Sequence, residues 1–257
     1  MNQLFNTARF GRLFSKHTTE NAGGYLLATG VLLGGLGLVL GFAAYMSTDP
    51  ITPDMQGVMF VMGLLAAGSF FTSTVFALFG DKKQATAALL LPASHWEKYL
   101  VGWLYAVPIF LAVYVGCFFL IDSLVLQFSG GSKPAVMVQL FSPESRLYVS
   151  LGAYAVVNAV FLWGSIFFVR QHFVRTAFGV LLAVVVVVAL NFQAVQALVG
   201  HKLNTVMPFS SMTLQQGKTW YVVGLPEAES AWLGLVPLGI MLLAWAAAYR
   251  RVTEKQI

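Results

Sequence analysis

Residues 25–46, 56–79, 99–121, 147–169, 176–199 and 231–249 form six apolar stretches without a single Asp, Glu, Lys, Arg or His. At about 1.5 Å of rise per residue, roughly 20 such residues cross the hydrocarbon core of a bilayer. Water is absent at that depth, so every backbone N–H and C=O has to be satisfied within the segment. Each stretch is therefore expected to be a helix, including the valine run 184–188, whose β-branching favours a strand in water. The fold class that follows is an all-α membrane protein with six transmembrane helices. Only 10% of the 257 residues are charged, against roughly 25% in soluble domains, so nothing is left over for a soluble domain. No internal repeat or low-complexity tract divides the chain, and residues 25–257 read as one transmembrane domain.

Residues 1–24 differ in kind. Arg9, Arg12 and Lys16 recur at spacings of three and four, while Phe10 and Phe14 lie on another side of the same helix. This predicts an amphipathic interfacial helix, with Phe in the acyl boundary and the cations near lipid phosphates. A basic tail that merely obeys the positive-inside rule is the alternative. The segment is too polar for the core of a signal peptide, and the first apolar run is long enough to span, so it is expected to be retained.

Orientation follows from the cations. With the N-terminus inside, inner segments hold Arg9, Arg12, Lys16, Lys82, Lys83, Lys98, Arg170, Arg175, Arg250, Arg251 and Lys255, and outer ones only Lys133, Arg146, Lys202 and Lys218. Both termini are then cytoplasmic, and Asp122 marks the outer end of the third span. The same bias explains a pI near 9.4 without nucleic acid.

The absences argue against several function classes. Ion-coupled carriers, pumps and voltage sensors place ionisable groups at membrane depth, and these stretches hold none. His17, His95, His172 and His201 lie outside the stretches and form no helical metal pair, so no metal site and no catalytic residue is expected. Ser165 has no intramembrane histidine to activate it. Gly217-Lys218-Thr219 echoes the end of a phosphate-binding loop, but the position needing the earlier glycine is Met212, so no nucleotide or other cofactor is expected on this chain. Cys117, the one cysteine, reads as a small apolar filler.

Neutral polar residues remain. Thr72, Ser73, Thr74 and Asn158 suit interhelical hydrogen bonds, while Asn191, Gln193 and Gln196 are candidates to line a translocation path. Gly30, Gly34, Gly37 and Gly41 form small-xxx-small pairs, candidates for helix packing between subunits. The 200–229 connector is apolar enough that part of it is expected to dip back into the outer leaflet.

The most structured connector is 80–98. Ser94 and Glu97 fit a capping box, and Pro92 stops the preceding helix, so 81–91 should be a short separate helix. The phrase Leu89-Leu90-Leu91-Pro92-Ala93-Ser94-His95-Trp96-Glu97-Lys98, followed by Gly102, resembles the segment after the second span in permease subunits of the ABC-2 type exporter superfamily. The layout is similar too: a basic amphipathic N-terminal helix, six spans and a long outer connector between spans five and six. The resemblance implies an export permease of the bacterial inner membrane, working as a homodimer with a separate cytoplasmic ABC ATPase that binds ATP and Mg. It also implies that Asp81, Lys82, Lys83, Gln84, Thr86 and Ala88 contact that ATPase, with Pro92, Ser94 and Glu97 as a joint to the third span. The glycine-rich first span departs from the pattern. A non-transporting membrane scaffold, binding another cytoplasmic partner through 80–98, is the competing reading.

Overall fold

A computed structural model of the chain describes residues 5–47, 49–75, 94–128, 135–142, 147–168, 171–199, 203–205, 212–216, 219–223 and 234–254. Among these, six helices are long and apolar enough to cross a membrane. They are α1 (Thr7–Met46), α2 (Pro53–Val75), a rod made of α3 (His95–Leu104), a π-helical turn (Tyr105–Ile109) and α4 (Phe110–Phe128), then α5 (Leu147–Phe167), α6 (His172–Val199) and α7 (Leu235–Glu254).

Local chemistry sets several boundaries. The Asn6 side chain accepts from the N–H groups of Ala8 and Arg9 and so caps α1. Thr52 precedes Pro53 at the first position of α2, where a missing N–H costs nothing, and the Thr52 hydroxyl accepts from Met55 N–H. Between α5 and α6 the chain turns at Gln171, whose φ of 54° lies in the left-handed region.

Three boundaries differ from the sequence expectation. No break separates an interfacial helix from the first span: α1 is a single helix of 40 residues, about 60 Å long, or twice the hydrocarbon core. The third crossing rod runs from His95 to Phe128, so Asp122 does not end it but lies inside it, buried. The basic turn at 170–175 is largely the first turn of α6. Continuous hydrogen bonding carries a helix past the last apolar residue until a cap or a turn stops it, so apolarity marks membrane depth better than helix length.

The 200–229 connector adds an element that an all-α reading lacks. β1 (Leu203–Thr205), β2 (Met212–Gln216) and β3 (Thr219–Val223) form an antiparallel sheet in that order. The strands pair with one another, so backbone groups of the connector are satisfied locally. Thr219 opens β3, which removes the strand-to-helix setting a phosphate-binding loop requires.

Two buried clusters hold the helices. One joins Leu36 and Leu40 of α1, Phe60 and Leu64 of α2, Phe110, Tyr114 and Phe118 of α4, and Tyr154 of α5. The other, at the end carrying both termini, joins Tyr99, Tyr105, Leu162, Ile166, Ala248 and Val252, with Phe10 and Phe14 packed against it. α6 lies outside both, with Val184, Val185, Val186 and Val187 exposed as a lipid-facing helix tolerates.

Candidate functional site

The described polar groups converge where the 80–98 connector enters the third crossing rod. The positions expected to contact an ATPase, Asp81, Lys82, Lys83, Gln84, Thr86 and Ala88, and the helix stop Pro92, lie outside the described residues. Ser94 and Glu97 are described, and they form the capping box: Glu97 N–H donates to Ser94 Oγ at 3.3 Å, and Ser94 N–H donates to Glu97 Oε2 at 3.0 Å.

Glu97 does more than cap its own helix. Its Oε1 accepts from the backbone N–H of Asn6 at 2.9 Å and from Arg9 Nη2 at 2.7 Å, and its Oε2 accepts from Arg9 Nε at 2.7 Å. The carboxylate is fully buried and thus sits at the N-termini of α1 and α3 together. Each terminus presents unpaired N–H groups and the positive end of a dipole, so one anion serves both. The Arg9 guanidinium, and the N–H groups of Asn6 and Ser94, hold the Glu97 carboxyl down to about 2 against the opposing effect of burial. Lys98 beside it is also buried.

The aromatic face of α1 continues this contact. The Phe14 and Tyr25 rings stack on Tyr105 at 5.3 and 4.8 Å. Thr18 Oγ1 and the Tyr105 hydroxyl share a hydrogen bond of 2.6 Å, and His17 Nε2 lies 2.7 Å from the Tyr25 hydroxyl. Burial lowers the His17 pKa, so this imidazole favours its neutral form. Phe10 and Phe14 therefore meet protein, whereas the interfacial reading gave them to the acyl boundary. Arg9 likewise meets a carboxylate; Arg12 and Lys16 stay exposed.

Tyr105 opens the π-helical turn, which contains Pro108. Proline has no N–H to donate to Leu104 and its ring crowds that carbonyl, which accounts for the irregular turn. The Ala106 carbonyl inside it accepts from the Tyr154 hydroxyl at 2.6 Å and from Asn158 Nδ2 at 2.9 Å. Asn158 also reaches Thr72 Oγ1 on α2, so one buried node ties α2, the π turn and α5 together. Ser73 and Thr74 bond only back to carbonyls of their own helix, Ser69 and Phe71.

The remaining candidates do not converge. Asn191 is half-buried, while Gln193 and Gln196 are exposed along α6. A Cβ added at Gly30, Gly34, Gly37 or Gly41 meets nothing within 4 Å, so no described helix of this chain packs on them. The glycines that permit close approach are Gly63, whose Cβ would collide with the Tyr114 hydroxyl, Gly68, whose Cβ would collide with the Tyr154 ring, and Gly164, whose Cβ would collide with Thr176. None belongs to a small-xxx-small run in α1; only the partner helix reveals them. Among the described residues, no three His, Cys, Asp or Glu side chains come together to hold a metal.

No family model matches the chain, and no curated protein or solved structure matches it.

Proposed function

We propose that this chain is the membrane-spanning permease of an ATP-driven exporter of the ABC-2 type, working as a homodimer with a separate cytoplasmic ATPase. Residues 80–98 receive the force, through Asp81, Lys82, Lys83, Gln84, Thr86 and Ala88. The substrate is hydrophobic or amphipathic, since the crossing helices offer apolar walls and neutral polar groups.

The observation that carries this reading is the double capping by Glu97. A push on the connector moves the N-terminus of α3, and the bonds from Asn6 and Arg9 make α1 follow. The stack of Tyr105 on Phe14 and Tyr25 then delivers the motion to the π turn, where the helix is already irregular. A scaffold needs a docking surface but no such joint.

The test is purification through a C-terminal tag from native membranes. A nucleotide-binding subunit should co-purify in stoichiometric amount and be lost when Lys82→Glu, Lys83→Glu and Ala88→Asp are combined. Export should be blocked by vanadate and indifferent to an uncoupler. Recovery of the chain without an ATPase would overturn the proposal in favour of a scaffold.

A further inference from the structure

At the end of the bundle opposite the Glu97 joint, Asp122 is fully buried, and neither carboxyl oxygen has a hydrogen-bond partner. Its surroundings follow from the packing of α2 on α4. The rings of Phe60 and Phe118 meet edge to face at 5.0 Å. α2 and α4 run antiparallel, so one helical turn beyond this pair, toward the same end, lie Gln56 on α2 and Asp122 on α4.

Gln56 is committed elsewhere. Its Nε2 donates to the carbonyls of Ile51 and Val136, both at 2.9 Å, and its Oε1 accepts from Val138 N–H at 2.7 Å. One buried side chain thus staples the extended strap 136–138 across the end of the bundle, with Val138 and Ile51 buried under it. Among the described residues, the segments closing this end carry the titratable groups Tyr45, Asp49, Asp54 and Tyr148. Tyr45, Asp54 and Tyr148 are exposed, Asp49 has a partner of its own, and no described cation pairs with Asp122.

A buried carboxylate without donors is among the costliest groups a fold can hold, whereas the neutral acid is tolerated. We propose that Asp122 is a proton-binding site that keeps the 136–138 strap closed. When the carboxyl O–H bond breaks and the proton passes to water at that face, the anion can be solvated only if the strap lifts from Gln56. Proton binding is then linked to closure of this end, independently of any ATPase and of the exporter reading.

The test uses the full chain in lipid nanodiscs, with Cys117→Ser removing the sole cysteine and Val138→Cys placing a thiol under the strap. Maleimide labelling is compared between this protein and the same protein carrying Asp122→Asn, so the thiol's own ionisation cancels in the ratio of rates. The ratio should be near one at about pH 5 and rise at least about threefold by about pH 9, above the ordinary carboxylate range. A ratio unchanged with pH overturns the proposal, as does one that follows sodium concentration at fixed pH, which would make the ligand a metal cation. A second measurement needs no cysteine: the infrared carbonyl band of a protonated carboxyl should be present in the unmodified chain at about pH 5, diminish by about pH 9, and be lost at both with Asp122→Asn. Absence of that band also overturns it.

Discussion

Arg9 and Glu97 lie 88 positions apart in the chain and form a two-pronged ion pair, with both nitrogen-to-oxygen distances at 2.7 Å. The planar guanidinium matches the carboxylate fork, a geometry that a lysine ammonium does not reproduce. Arg9→Lys should therefore lower the thermal midpoint nearly as much as Arg9→Gln, by several degrees. Combined with Glu97→Gln, either substitution should add little further loss, because both members act through one contact. Full additivity in such a double-mutant cycle would show that the pair contributes nothing.

The pair also fixes a pH response. The Glu97 carboxyl is depressed in the folded chain to about 2, so its contribution is fully present above the usual carboxylate range and is lost as pH falls through that range toward 2. Protection of the α1 N-terminus from protease should be flat at neutral and alkaline pH and collapse in acid. With Glu97→Gln, protection should be lower throughout and lack the acid limb.

Ser94 and Glu97 belong to one capping box but are not equivalent. Ser94→Ala removes one cap bond, worth roughly 1 kcal/mol. Glu97→Ala removes the acceptor for Ser94, Asn6 and Arg9 together. Equilibrium unfolding should rank Glu97→Ala well below Ser94→Ala. In the exporter reading, both should also reduce transport per ATP hydrolysed while leaving assembly intact, and unchanged coupling would count against the joint.

The node at Ala106 predicts a graded loss in stability. Tyr154→Phe removes one donor to that carbonyl, while Asn158→Leu removes the link to Thr72 as well. Interhelical bonds in membranes are worth roughly 0.6 to 2 kcal/mol each, so unfolding in mixed micelles should show Asn158→Leu as the larger loss. Thr72→Val, close in shape, isolates the third partner.

Glycine substitutions separate packing within the chain from packing between chains. Gly68→Ala should be severely destabilising, because the Tyr154 ring it meets is buried among α2, α4 and α5. Gly34→Ala should leave the stability of the isolated chain unchanged. A Gly34→Leu variant that alters oligomer size but not monomer stability would place the α1 glycines at a subunit contact.

Local and compositional features were enough for part of this protein. Six uncharged apolar stretches imply six helices, since hydrocarbon leaves the backbone no other way to satisfy itself. The capping box of Ser94 and Glu97 is legible because both bonds close within four residues. What depends on distant neighbours was decided only by the tertiary structure. Periodicity put Arg9 and Phe14 on different faces of a helix, but whether those faces meet lipid or protein depends on α3 and the π turn, about ninety positions away. Asp122 looks like the polar end of a span until the helix continues to Phe128 and its carboxylate is buried within the bundle. Gly68 and Gly34 are alike as letters, and only the Tyr154 ring distinguishes them. Hydrophobic period and caps are properties of one segment, whereas burial, ion pairing and close approach are properties of two segments at once.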